Sequence, residues 1–71
     1  MELLILKTNV LSLAMKEKLA LQLNNIPQIK KWSVDYQDCD GVLRVSAEGI
    51  CMHELVLLIK QCGFECEELN D

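Results

Sequence analysis

ELLILKT (residues 2–8) followed by NVLSLAM (residues 9–15) is the passage whose reading decides the fold. The first part is apolar, carries β-branched residues and is too short for a typical helix, so it reads as a buried strand. The second part contains a serine able to cap a helix, Ser12, and leads into apolar residues at helical spacing. Met15, Leu19, Leu23 and Ile26 fall on one side, while Lys16, Glu17, Lys18 and Gln22 supply the wet side. The spacing predicts a helix over residues 13–25, ended by Asn24, Asn25 and Pro27. The junction between strand and helix is then an ordered loop at one end of a small layered domain.

Beyond that helix, Trp32, Val34 and Tyr36 alternate with Ser33 and Asp35 across residues 29–37, the period of a half-buried strand. Asp38, Cys39, Asp40 and Gly41 supply turn chemistry. Leu43, Val45 and Ala47 alternate with Arg44 and Ser46 across residues 42–48, so the two strands read as a hairpin closed by Gly49. Residues 51–62 read as a second helix. Its inward stripe is Cys51 or Met52, Leu55, Leu58 or Ile59, and Cys62, and Gly63 is its stop. Residues 64–69 form a last short strand with Phe64 and Cys66 toward the core. The order strand, helix, strand, strand, helix, strand predicts an α+β ferredoxin-like sandwich, with two helices on one face of a four-stranded antiparallel sheet. Because the elements alternate in direction, residues 9–15, the Asp38 to Gly41 turn and the Cys62 to Cys66 connection share one end. Cys51, Met52 and His53 fall at the other.

A chain of 71 residues makes a single domain over residues 1–71, near the size below which one core no longer holds by itself. Its net charge of −4 and the acidic tail Glu65, Glu67, Glu68 and Asp71 give no electrostatic basis for binding nucleic acid. The longest apolar run, Leu3 to Leu6, is far too short to span a membrane, and no secretory pattern accompanies it, so a cytoplasmic location is expected. Four cysteines without a secretory context read as free thiols. They are spaced by twelve, eleven and four residues, which does not match the paired Cys-x-x-Cys pattern of structural zinc. His53 is the single histidine and has no partner constellation in the sequence for acid–base or nucleophilic work, so no enzyme is expected.

Four stretches carry a resemblance that spans essentially the whole chain. They are Lys7-Thr8-Asn9-Val10, Trp32-Ser33-Val34-Asp35, Val42-Leu43-Arg44-Val45, and the run from Cys62-Gly63-Phe64 through Glu65-Cys66-Glu67-Glu68-Leu69. The chain resembles the heavy-metal-associated domain, the fold of copper chaperones and of the N-terminal modules of metal-transporting P-type ATPases. The Lys7-Thr8-Asn9 piece and the Trp32, Val34, Asp35 pattern are similar to a subgroup of small free-standing bacterial members. In that family the junction reads Cys-x-x-Cys, and two thiolates hold a soft cation such as copper(I) at the helix start. The resemblance places those two positions at Ser12 and Met15, so the metal motif is absent here. It further implies a docking surface around Phe64 and a protein partner such as a metal-transporter domain or a metal-binding relative.

Each candidate residue has a structural reading beside its chemical one. Ser12 is expected to cap the first helix. Met15 is expected to fill the core, with soft-metal ligation as the alternative. Cys62 and Cys66 read as buried structural thiols, and Cys39, in an exposed turn, is the thiol expected to react or to link two chains. A substitute metal site would combine Met15 and Cys62, with Cys39 as a further member. Cys51, Met52 and His53 are adjacent on a helix, where neighbours point about 100° apart, and do not converge on one ion. Trp32 anchors either the core or the open face of the sheet. That open face, with Val56 and Leu57, points to a partner surface or a homodimer. The expected function is a non-enzymatic metallochaperone-like domain without resident metal or cofactor, acting through protein contact in metal homeostasis. The alternatives are a copper(I)-type carrier using Met15 with Cys62 or Cys39, and redox sensing through Cys39.

Overall fold

The computed structural model of the chain describes residues 2–69, so Asp71 of the acidic tail lies outside the described residues. Six elements follow in the expected order: β1 (Glu2–Thr8), α1 (Leu13–Leu23), β2 (Ile29–Val34), β3 (Leu43–Ala47), α2 (Met52–Gln61) and β4 (Cys66–Glu68). The strands form one antiparallel sheet in the order β2-β3-β1-β4. Each helical crossover leaves room for one strand of the other half, so β3 and β1 become the central pair. Leu4 faces Val45 and Leu6 faces Leu43 across that pair. All four are buried, as are Thr8 and Ala47 farther along the same side.

Leu19 and Leu23 of α1 and Leu55 and Ile59 of α2 pack into the same cluster as those strand residues, together with Val10, Phe64 and Cys66. Both helices therefore cover one face. Burying a leucine side chain fully contributes about 1.5–3 kcal/mol, so the eight largest fully buried side chains carry much of what holds so small a domain. Met15, Met52 and Cys62 seal the margin of the cluster. Trp32 also belongs there. Its indole Nε1–H donates to Asn24 Oδ1 at 3.0 Å, which joins β2 to the end of α1 and puts the ring on the helix side of the sheet.

Strand and helix limits are shorter than the periodicity predicts, for local reasons. β2 stops at Val34, not residue 37, because Asp35 turns the chain: its side chain accepts the Gln37 N–H at 3.2 Å and its carbonyl accepts the Asp38 N–H at 3.3 Å. α1 ends at Leu23, where Asn24 and Asn25 send their N–H groups back to Ala20 and Gln22, and Asn25 Nδ2 donates to the Leu21 carbonyl. Cys51 and Cys62 are the caps of α2, not members of it. β2 also contains an irregularity: Ile29 faces Ala47 while Lys31 already faces Ser46, so Lys30 is an extra residue.

The face away from the helices carries Leu3, Ile5, Lys7, Lys31, Ser33, Arg44, Ser46 and Glu67, a mixed surface, not an apolar one. No helix of the described residues is long and apolar enough to cross a membrane. The core assignment makes a direct comparison possible. Leu55→Ala is expected to lower stability by about 2–5 kcal/mol in urea unfolding. Leu21→Ala, at a side chain 70% exposed, is expected to stay within about 0.5 kcal/mol of the parent.

Candidate functional site

Strand parity carries Thr8 to the helix side of β1, in line with Leu4 and Leu6, where it is 6% exposed. A hydroxyl buried there must be hydrogen-bonded or it destabilises the domain. Thr8 Oγ1 donates to the Gly41 carbonyl at 2.6 Å and accepts the Val10 N–H at 3.1 Å. The Thr8 N–H donates in turn to the Asp40 carbonyl at 3.1 Å. Gly41 sits at φ +48°, and a Cβ there would lie 2.6 Å from the Thr8 carbonyl oxygen, so this approach requires glycine.

Asn9 makes a second tie. Its N–H donates to the Glu65 carbonyl at 3.1 Å, and its Oδ1 accepts the Glu65 N–H at 2.9 Å. The strand-to-helix junction is thus laced to the β2–β3 loop through Thr8 and to the α2–β4 connection through Asn9. The three segments expected at one end are joined there by hydrogen bonds. Sequence reading assigned no role to Thr8, Asn9 or Gly41 beyond resemblance and turn chemistry. The available signal was a polar side chain at an inward strand position, which demands a partner.

Ser12 and Met15, the positions singled out by the resemblance, both have structural tasks. Ser12 is extended, at φ −147° and ψ 159°, and its Oγ accepts the Met15 N–H at 3.2 Å. That is the N-cap bond expected from the sequence, a type that stabilises a helix by about 1 kcal/mol. The Met15 side chain is half-buried against the core. A neutral hydroxyl already engaged as a cap and a single thioether make a poor donor pair for a soft cation, so the junction does not fit the metal that the resemblance implies. Around Ser12 the chain alternates: Val10 is fully buried, whereas Leu11 and Leu13 are 50% and 51% exposed. The tip is apolar. Beside it, Lys16 Nζ lies 5.6 Å from the centroid of the Tyr36 ring, pinning the β2–β3 loop to α1.

The four cysteines are free thiols. Cys66 is buried and its S–H donates to the Val56 carbonyl at 3.5 Å, a packing role. Cys62 caps α2 and is half-buried at the core margin. Burial raises both thiols above the ordinary value, which opposes the thiolate that metal binding requires. Cys51 begins α2, and its N–H donates to Glu54 Oε1 at 3.4 Å. Cys39 is exposed, with its sulfur 3.9 Å from Asp40 Oδ1. The Asp40 charge, then a hydrogen bond to Asp38 and the Asp38 charge, raise the Cys39 thiol, so the expectation of a reactive thiol there finds no electrostatic support. Asp38, Cys39 and Asp40 offer ligand atoms within 4.8 Å of one another, and Cys62 does not belong to that group. Its carboxylates have local partners. Asp38 Oδ1 accepts the Asp40 N–H at 3.0 Å, and Asp40 Oδ1 pairs with Lys7 Nζ at 3.6 Å.

No family model matches the chain, and no curated protein matches it. Solved structures do. The chain is similar to the yeast copper transporter domain Ccc2a, whose solution structure was determined in the apo and Cu(I)-loaded states. The TM-score is 0.78 at 21% identity, over 97% of this chain and 96% of that chain. It is also similar to the solution structure of the Atx1–Cu(I)–Ccc2a complex, with a TM-score of 0.82 at 21% identity and the same coverage of 97% and 96%. The likeness is one of fold: a βαββαβ sandwich of the heavy-metal-associated type.

The carboxylates around Cys39 have a measurable consequence. With its thiol raised by negative neighbours, Cys39 is expected to reach the half-maximal rate of alkylation by iodoacetamide at a higher pH than an unperturbed cysteine. Asp40→Asn removes the charge with the larger effect on this thiol and is expected to move that midpoint down, as read by mass spectrometry across a pH series. An unchanged midpoint contradicts the assignment.

Proposed function

We propose that this chain is a non-enzymatic domain of the heavy-metal-associated fold that has no metal site at its junction and works through protein contact in metal homeostasis. The observation that carries the reading is the double use of Ser12 and Met15: the hydroxyl caps α1 through the Met15 N–H, and the thioether side chain packs on the core. A capping hydroxyl and a single packed thioether are weak ligands for a soft cation, which supports this reading. The junction keeps its order through Thr8 and Asn9, so a formed surface remains without a metal to form it.

That surface has a definite chemistry. Leu11 and Leu13 project beside Ser12, and the loops tied to the junction bring Asp38, Asp40 and Glu65 to the same end. An apolar tip among carboxylates suits a partner with an apolar hollow and basic rim. A metal-transporter domain or a metal-binding relative is the proposed class, supported by the complex of the similar domain Ccc2a with Atx1 and Cu(I).

Copper(I) competition titration of the reduced protein, with elemental analysis, tests this reading. No stoichiometric uptake is expected from the parent chain. The double variant Ser12→Cys, Met15→Cys is expected to gain one copper(I) per chain, because the junction already has the geometry of a helix start. One tightly bound ion in the parent overturns the reading in favour of a carrier using Met15 with Cys62 or Cys39, and loss of that ion in Cys62→Ser would then locate it.

A further inference from the structure

The sheet irregularity at Lys30 changes the charge of the open face. Ile29 faces Ala47 and Trp32 faces Val45, and both partners are on the buried, helix side. Two residues, Lys30 and Lys31, separate them, so both lysines are left on the side away from the helices. In a regular strand one of the two would point the other way. Arg44 lies on the same side in the central strand β3, between Ser33 of β2 and Ile5 of β1. Ser46 stands between Lys31 and Leu3.

Among the described residues, no carboxylate is in register opposite Lys31 or Arg44. An exposed antiparallel sheet gains from opposite charges on facing positions, and this one uses that device elsewhere: Lys7 faces Glu67 and pairs with Asp40. Lys31 and Arg44 are diagonal neighbours of like charge. Glu48, one residue beyond β3, continues the alternation of Arg44 and Ser46, and its N–H donates to the Gln28 carbonyl at 2.9 Å. Lys30, Lys31 and Arg44, three of the seven cations of a chain with net charge −4, are thereby gathered on the β2–β3 half of this face. Lys31 and Arg44 border a shallow hollow of about 220 Å³ lined also by Leu3, Trp32, Ser33 and Ser46, with Leu3 61% exposed.

We propose that this face, centred on Arg44, is a docking surface for an acidic, amphipathic segment of another protein. Charge complementarity selects the carboxylates, with the Arg44 guanidinium able to hold one by two hydrogen bonds. The Leu3 and Ile5 side chains give apolar contact next to them. A nucleic acid fits less well, because three cations neutralise little of a polyphosphate and the rest of the chain repels it. The surface is opposite the helices and independent of the junction, so it goes beyond the function proposed above and stands or falls separately.

The test uses the full chain labelled with ¹⁵N and a synthetic helical peptide with leucines on one side and glutamates at roughly every fourth position on the other. Controls are the same peptide with lysines for glutamates, and an oligothymidylate. The expected result is saturable amide shifts at Leu3, Ile5, Lys31, Ser33, Arg44 and Ser46 with the acidic peptide only. Affinity should fall as salt rises, and the variant Lys31→Glu, Arg44→Glu should bind about tenfold more weakly at an unchanged unfolding temperature. Should that variant unfold, Arg44→Gln is read instead, with weaker binding again expected. The proposal is overturned by absence of saturable shifts, by equal binding of either control, by shifts confined to residues 11–15, or by shifts that appear on concentrating the protein alone.

Discussion

A single threonine hydroxyl, held between the Gly41 carbonyl and the Val10 N–H, is the constraint on which this end of the molecule depends. Thr8 is the last residue of a central strand, and its side chain points into the core. Without both partners the buried hydroxyl would destabilise the fold by about 1–3 kcal/mol. With them, it converts a penalty into a tether. The Gly41 backbone is drawn to within reach of β1, Val10 is seated in the core, and the next residues are directed outward toward the Ser12 cap. Asn9 repeats the arrangement toward Glu65. The loop gains its order from hydrogen bonds made within the chain, by the Thr8 and Asn9 side chains as well as by the backbone.

The architecture was legible because it rests on periodicity. Residues 2–8 alternate around a buried face, Leu19 and Leu23 recur at helical spacing, and Gly63, at φ +93°, stops α2. The ties were not legible. Thr8 and Gly41 are 33 residues apart, and Asn9 and Glu65 are 56 apart, distances at which no local pattern links a side chain to the backbone it bonds. The overrun of β2 to residue 37 has a related cause: Tyr36 keeps the alternation and is half-buried, yet Asp35 has already turned the chain by bonding its own neighbours. The extra residue at Lys30 left no mark in composition either, since a strand with two adjacent lysines reads like any exposed edge.

The candidate site divides in the same way. Ser12 as a cap could be read from its place before an apolar run, and the geometry agrees. Cys39 was assigned reactivity from exposure alone, whereas the charges of Asp40 and Asp38 beside it raise its thiol above the ordinary value. Charge is the quantity that organises the rest. Carboxylates of the loops gather near the junction and cations gather on the open sheet face, and the partners proposed for the two surfaces differ in charge accordingly. A domain this small has little interior to spare for chemistry, and its capacity for function lies in these surfaces.

The central claim is that the junction is ordered by the chain itself, without a metal ion. Residue-resolved amide hydrogen exchange of the reduced protein in excess chelator tests it most directly. The account predicts that the N–H groups of Thr8, Asn9, Val10 and Met15, each bonded within the described structure, exchange about as slowly as those of the β1–β3 ladder. Exchange at the rate of an open loop, slowed only when copper(I) is added, would contradict it.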